Sequence, residues 1–158
     1  DDVEAVTSET AEEKIFKMLD SISAKRLADA MKHLDELFET GDRPESDAPK
    51  VLSNMARQYR LIWQAKLLQA ARVKAMRKDA VPEKVRALLP SSPNILEVAA
   101  RQSWQADRFS AAAKRWCRED LVRCFTAIAR TDAMLKGIEG DVDDPRMAME
   151  LLVLELAG

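Results

Sequence analysis

The feature that most constrains the fold is the stretch at residues 51–71, VLSNMARQYRLIWQAKLLQAA. No glycine or proline interrupts it, and at 100° per residue most of its large apolar side chains fall on or beside one face. A helix of this length spans roughly 30 Å, about the diameter of a small domain, so several partner helices must cover its apolar face. Arg57, Arg60 and Gln64 fall largely off that face. Their surroundings, solvent or a neighbouring domain, stay an open question at this point.

The composition supports a helical protein. The chain has 158 residues, of which 47% are hydrophobic and only 5% aromatic, with 4 glycines and 6 prolines. A sheet protein would carry more β-branched and aromatic residues and more turn residues. We therefore expect one all-α domain, a single bundle of about seven helices. The net charge of −2 gives no overall field that would attract nucleic acid, so any such contact needs a local basic cluster.

Capping residues and breaks divide the chain into helices. Thr10 and Glu13 match a capping box, Ser23 is a candidate N-cap, and Ser92 with Pro93 is expected to open a long second helix. The last helix is apolar over most of its girth, which is typical of a central or interface helix. The predicted helices are residues 10–22, 24–40, 47–75, 82–89, 93–116, 118–136 and 144–157, with a polar loop at 42–48 and helix stops at Gly41 and Gly137.

The sequence offers no catalytic, metal or cofactor site. Its single histidine, His33, lies beside an apolar stripe without a Ser–His–Asp arrangement, and there is no CxxC pair, HExxH helix or glycine-rich phosphate loop. Cys117 and Cys124 are separated by about 10.5 Å of helical rise, too far for a disulfide, so we expect reduced, buried thiols as in a cytoplasmic protein. No apolar run is long enough to cross a membrane. We expect a non-catalytic protein.

One helix face carries a different kind of pattern. On a continuous helix from Asn94 to Trp116, Trp104 points away from the apolar stripe, and Arg101, Arg108 and Arg115 lie within roughly 60° of it. An exposed indole among guanidinium groups can stack on an unpaired base while the cations hold phosphates, which predicts a contact with single-stranded DNA. The alternative is that another helix or subunit covers Trp104, since exposed tryptophans also mark protein interfaces.

Five segments, in order, resemble one known family. MARQYRLIWQAKLL (Met55–Leu68) is similar to a helix typical of the C-terminal domain of the bacterial DNA polymerase III delta subunit, part of the clamp loader. AEEKIFKMLDSI (Ala11–Ile22) and ADAMKHLDELFETG (Ala28–Gly41) resemble the entry into that domain and its second helix. CREDLVRCFTAIARTDAMLKG (Cys117–Gly137) resembles a helix that ends in Asp-x-x-Leu-Lys, and MELLVLELA (Met149–Ala157) resembles the apolar terminal helix.

The resemblance implies a collar domain that holds the loader together by packing against the gamma/tau and delta-prime subunits. It implies that residues 1–9 are the remnant of a preceding AAA+-like domain or a linker, and that 10–158 form the helical collar domain. The N-terminal part of such a subunit, which binds the sliding clamp, would then have been cut away, in line with the missing initial Met. Trp104-Gln105 resembles a dipeptide that lies near the template strand in proteobacterial delta subunits. These implications place the protein in a cytoplasmic, bacterial replisome, without cofactor or membrane. The rival interpretation is a freestanding helical adaptor or regulator that binds a partner helix.

Overall fold

The computed structural model describes residues 9–39, 43–140 and 142–158 of the chain, and within these residues all regular structure is helical. The predicted all-α class is therefore confirmed. The predicted polar lead-in before Glu9 and the predicted stop at Gly41 lie outside the described residues. The helices are α1 (Ala11–Ser23), α2 (Leu27–Glu39), α3 (Pro44–Ala70), α4 (Glu83–Arg86), α5 (Ile95–Arg101), α6 (Ser103–Arg115), α7 (Arg118–Leu135) and α8 (Pro145–Ala157), with a 3-10 turn at Lys78–Ala80.

The helices form two compact units, which refines the expected single bundle. The first unit comprises the described residues of 1–54 and of 131–158, and the second comprises Met55–Arg130. In the first unit α1 packs against α2, and both contact α8. In the second unit the neighbouring helices α5 and α6 pack together, and side chains of α3 reach α6, as Lys66 Nζ donates to Ala113 O and Gln69 Nε2 to Ser110 O.

The first unit contains the helix starts that the sequence predicted best. The Thr10 hydroxyl accepts a hydrogen bond from Glu13 N at 3.2 Å, and the Glu13 carboxylate accepts one from Thr10 N at 3.3 Å, which completes the capping box. Asp144 caps α8 by accepting from Arg146 N at 3.0 Å, with Pro145 at the first helical position. The apolar stripes of these helices supply the core of the unit: Ile15, Phe16, Met18, Leu19, Ile22, Ala30, Leu34, Leu37, Phe38, Ala148, Met149, Leu152, Val153 and Leu156.

Two helix ends differ from the prediction because cationic residues, not glycines, adopt the left-handed conformation there. Ser23 is the last residue of α1 and not the N-cap of α2, and its hydroxyl donates to Asp20 O. Lys25 follows with φ 58°, and α2 begins at Leu27. Similarly, α3 ends at Ala70, short of the predicted 75, and Arg72 has φ 57°. Glycine is the usual sequence signal for such stops, and neither site has one.

Two further boundaries are corrected. The predicted loop at 42–48 is helical from Pro44, since Asp47 Oδ2 accepts from Arg43 N at 3.1 Å and closes the first turn. The predicted continuous helix at 93–116 begins only after Asn94, whose side chain accepts from Leu96 N, and breaks at Gln102, whose backbone is extended (φ −145°, ψ 91°). Gln102 is exposed, although a continuous helix would place it on the apolar stripe. The break keeps its amide in water, where a continuous helix would have buried a polar group.

Candidate functional site

Helix α8 is tied to the first unit near both of its ends. Near its start, the Arg146 guanidinium contacts Asp35 Oδ1 on α2 at 2.7 Å and Glu150 at 3.3 Å, and it lies 5.4 Å from the centre of the Phe38 ring. These carboxylates raise the pKa of Arg146, so the group remains a cation. At the other end, Lys25 Nζ donates to Leu156 O at 2.9 Å. The helix is therefore held in a defined orientation.

The outer face of α8 is apolar and exposed. Met147 is 55% exposed, Leu151 53% and Leu154 48%, and their spacing of four and three places them on one side of the helix. We call these three residues the α8 stripe. Exposed large apolar residues grouped on one helix face usually mark a protein–protein contact. The opposite face of α8 is buried in the first unit, as expected for a helix that is apolar over most of its girth.

Gln64 is a structural residue that sequence reasoning missed. It was expected off the apolar face of α3, yet its side chain is buried. Its Nε2 donates to Pro93 O at 2.8 Å, and its Oε1 accepts from Ile95 N at 2.9 Å, which ties the start of α5 to the middle of α3. A second buried stripe with spacing i, i+3, i+4 and i+7, formed by Leu61, Gln64, Ala65 and Leu68, was the available signal.

The structure brings together two of the four residues predicted to contact single-stranded DNA. On α6 the Trp104 side chain is 51% exposed, and the Arg108 guanidinium lies 5.9 Å from the centre of its indole ring. That distance is within the range of a cation–π contact. The predicted exposure of the indole is thus present, with one cation already over the ring.

The other two arginines lie farther from Trp104 or on another helix. Arg115 is exposed on the same face of α6, about 16 Å along the helix axis. Arg101 is the last residue of α5, so the angle that grouped it with Trp104 on one continuous helix does not apply. Arg101 instead lines a groove of about 880 Å³ within the second unit, together with Lys74, Arg77 and Lys78.

The single histidine, the two cysteines and the single tyrosine carry reactive side chains. His33 is half-buried with Nδ1 at 3.7 Å from Glu36. Both cysteines are free thiols, as predicted, but only Cys124 is buried. Cys117 is exposed, and its sulfur accepts from Asp120 N at 3.4 Å at the start of α7, a capping position that explains why it stays at the surface. Burial, with a contribution from the Cys124 thiol, raises the pKa of Tyr59 well above its ordinary value.

Two searches of the described part of the chain gave negative results. No group of three or more His, Cys, Asp or Glu side chains is arranged to hold a metal ion in residues 9–39, 43–140 and 142–158. None of the helices in those same ranges has the length and hydropathy needed to span a membrane.

Comparison with known proteins finds the same family over part of the chain. Residues 12–80 match the family model described as DNA polymerase III delta subunit, C-terminal domain. The fold is similar to that of the Bacillus subtilis DNA clamp loader delta protein (YqeN), with a TM-score of 0.68 and 17% sequence identity over 96% of this chain. The chain spans 38% of the length of that protein. No curated protein matches it by sequence. The range matched by the family ends before Trp104 and before α8.

Proposed function

We propose that this chain, whose residues 12–80 match the family model of the DNA polymerase III delta subunit, C-terminal domain, is the collar domain of a clamp loader. In this role it is a non-catalytic assembly module of a cytoplasmic replisome. Its partners are the gamma/tau and delta-prime subunits. The sliding clamp is reached only through an N-terminal domain outside the chain. The domain acts by positioning the other subunits. Its helical surfaces bind them, so that conformational changes elsewhere in the loader are transmitted to the clamp.

The α8 stripe is the observation that carries this proposal. Its three large apolar side chains are about half exposed, although the helix that bears them is fixed in place by Arg146 and Lys25. A surface that is already ordered loses little conformational freedom when it binds, which favours association. Interfaces in permanent assemblies are more hydrophobic than ordinary protein surface, as this helix face is.

The test is co-purification of the chain with purified gamma/tau and delta-prime subunits. The wild-type chain is expected to elute with them on size exclusion, and Leu151→Asp is expected to elute alone, because a carboxylate in the centre of the stripe opposes burial. Ile138→Asp is the matched control, since Ile138 is also an exposed aliphatic residue but lies between α7 and α8, outside the α8 stripe. Failure of the wild-type chain to bind either subunit, while full-length delta does so, would contradict the proposal. Binding to an unrelated helical partner instead would favour the adaptor function.

A second role, contact with template single-stranded DNA, is supported by Trp104 and Arg108. The indole is half exposed and has a guanidinium 5.9 Å from its centre, so a base can stack on it while the cation approaches a phosphate. Arg101 and Arg115 are proposed as further phosphate contacts. Each phosphate contact with a single strand contributes about 0.7 to the salt dependence of binding, so loss of one arginine should lower that slope by a similar amount.

The test of this second role is quenching of tryptophan fluorescence by single-stranded DNA at low salt. Trp104→Ala should abolish the quenching, because Trp116 is buried and Trp63 is half-buried and both are less accessible to a base. Identical titrations of the wild type and Trp104→Ala would rule out stacking on this residue. A double variant of Trp63 and Trp116 to phenylalanine identifies the signal of Trp104 alone.

A further inference from the structure

The second unit contains an apolar hollow that neither proposed role uses. Its volume is about 520 Å³, within the range of pockets that hold small ligands or short peptide segments. It lies between α3 and α7 and is bordered by the segment that follows α4. The lining residues are Arg60, Trp63, Gln64, Leu67, Leu88, Pro90, Val122, Phe125 and Thr126.

Aromatic rings in mutual contact form one wall of the hollow. The Trp63 and Phe125 rings meet edge to face, with centroids 6.0 Å apart and planes at 75°. Behind them, Phe125 meets the fully buried ring of Tyr59 at 6.4 Å and 68°. Edge-to-face pairs of this kind restrain each other, so the wall keeps its shape without a ligand.

Hydrogen bonds hold the opposite border in place. Asn94 Nδ2 donates to Pro90 O at 3.0 Å, and the buried Gln64 amide pairs with Pro93 O and Ile95 N. Both ends of the Gln64 amide are therefore engaged, and it acts as part of the wall. A binding surface that is fixed before its partner arrives gains affinity because less order has to be created.

The border of the hollow presents apolar side chains to solvent. Leu88 is 67% exposed and Val122 is 48% exposed, and both line the hollow. Exposed aliphatic side chains around an aromatic wall are typical of a pocket that receives an apolar anchor from a partner.

The charge of the residues that line the hollow indicates the charge of the partner. Arg60 is the one charged residue among those that line it, and no carboxylate accompanies it. Arg60 is exposed and forms no ion pair with the residues that the structure describes. A partner group that approaches it gains most if it is anionic.

We propose that this hollow binds a short acidic segment of a partner protein, which inserts one large apolar side chain between Trp63, Phe125 and Leu88 and places a carboxylate against Arg60. The volume of the hollow, about 520 Å³, suits one inserted side chain with its flanking residues. The site is distinct from the α8 stripe and from Trp104, and it does not depend on the assembly role.

The experiment titrates the 158-residue chain with the peptide Asp-Asp-Phe-Leu-Asp-Asp by isothermal calorimetry. Binding is expected to weaken by roughly tenfold or more when serine replaces the peptide's phenylalanine, and by a similar factor in Leu88→Asp, because both remove the apolar anchor. Arg60→Glu should weaken binding of the acidic peptide by about fivefold or more and favour Lys-Lys-Phe-Leu-Lys-Lys. Arg57→Glu is the matched control, since Arg57 lies on the same helix but does not line the hollow.

Three results would overturn the proposal. The first is absence of binding of the acidic peptide to the folded wild-type chain, and the second is equal binding by the wild type, Arg60→Glu and Leu88→Asp. The third is displacement of the acidic peptide by single-stranded oligothymidylate, combined with loss of oligothymidylate binding in Arg60→Glu. That result would make the hollow a nucleic-acid site. Circular dichroism of each variant shows that it is folded, and all of the substituted residues except Arg57 are exposed, so their replacement is compatible with the fold.

Discussion

In the described part of the chain, two exposed apolar surfaces, the α8 stripe and the hollow of the second unit, are built in opposite ways. The α8 stripe is one face of a regular helix, held from the side by charged groups at the surface, chiefly Arg146 and Lys25. The hollow of the second unit is concave, and its walls depend on buried aromatic rings and on the buried amide of Gln64. Surface ion pairs contribute little to stability, whereas buried hydrogen bonds are costly to break. We therefore expect the hollow to be much more sensitive to changes in its supporting residues.

The largest expected effect follows replacement of Gln64. Gln64→Leu preserves the approximate size of the side chain but leaves Pro93 O and the buried Ile95 N–H without their partner. Each unsatisfied buried group costs about 1–3 kcal/mol, so the free energy of unfolding should fall by about 3 kcal/mol. Chemical denaturation measures this change. The matched control is Gln69→Leu, which loses one partly buried bond to Ser110 O and should cost about 1 kcal/mol.

A second test uses pH to probe Tyr59, whose buried ring lies behind the aromatic wall of the hollow. Tyr59 is the only tyrosine in the sequence, and burial raises its pKa above the ordinary value of 10.0. Above pH 10 the tyrosine of the unfolded chain loses its proton while Tyr59 of the folded protein keeps it. The contribution of protonated Tyr59 to the free energy of unfolding is therefore complete below pH 10 and is lost as the pH rises further. The slope is at most about 1.4 kcal/mol per pH unit.

Tyrosinate absorbance and tryptophan fluorescence, recorded on the same alkaline titration, should change together because Tyr59 ionises only on unfolding. Tyr59→Phe should remove this part of the pH dependence. Appearance of tyrosinate at its ordinary pKa in a chain that is still folded would contradict the buried position of Tyr59, and with it the rigid base of the hollow.

The third test weakens the support of the α8 stripe. Arg146→Ala removes the contacts with Asp35, Glu150 and the Phe38 ring. Since these side chains are partly exposed, solvent screens the ion pairs, and the free energy of unfolding should fall by only about 1 kcal/mol. The difference between wild type and variant should shrink when thermal denaturation is repeated at high salt. A loss as large as that of Gln64→Leu would remove the contrast between the two surfaces.

The sequence predicted those features that depend on nearby residues. Thr10 with Glu13 and Asp144 with Pro145 identified the starts of α1 and α8, because a cap acts within one helical turn. The exposure of Trp104 also followed from its helix face. The helical periodicity of the apolar residues was sufficient to predict the all-α class.

Two of the features that were missed depend on residues far apart in the chain. Lys25 adopts a positive φ and donates to Leu156, 131 positions away, so no local signal marks the end of α1. Gln64 looked like a surface residue until the start of α5 supplied partners for its amide. The break at Gln102 has neither glycine nor proline, and it separated Arg101 from the residues with which it had been grouped. For Lys25 and Gln64, a partner brought in by tertiary structure decides the outcome.

The smallest effect on stability is expected for the ion pair of Lys136 with Asp132, which serves as the reference for the contacts of Arg146. Lys136 Nζ contacts Asp132 Oδ2 at 2.8 Å one turn apart near the end of α7, and both side chains are about half exposed or more. Such a pair contributes only a few tenths of a kcal/mol, so Lys136→Ala should leave the thermal midpoint almost unchanged. At 2.8 Å the pair is nearly as short as the 2.7 Å contact between Arg146 and Asp35, which makes it a matched control for distance. If Lys136→Ala costs as much as Arg146→Ala, the Phe38 ring and the second carboxylate add nothing to the anchoring of α8, and near its start the helix is held only by the ion pair of Arg146 with Asp35.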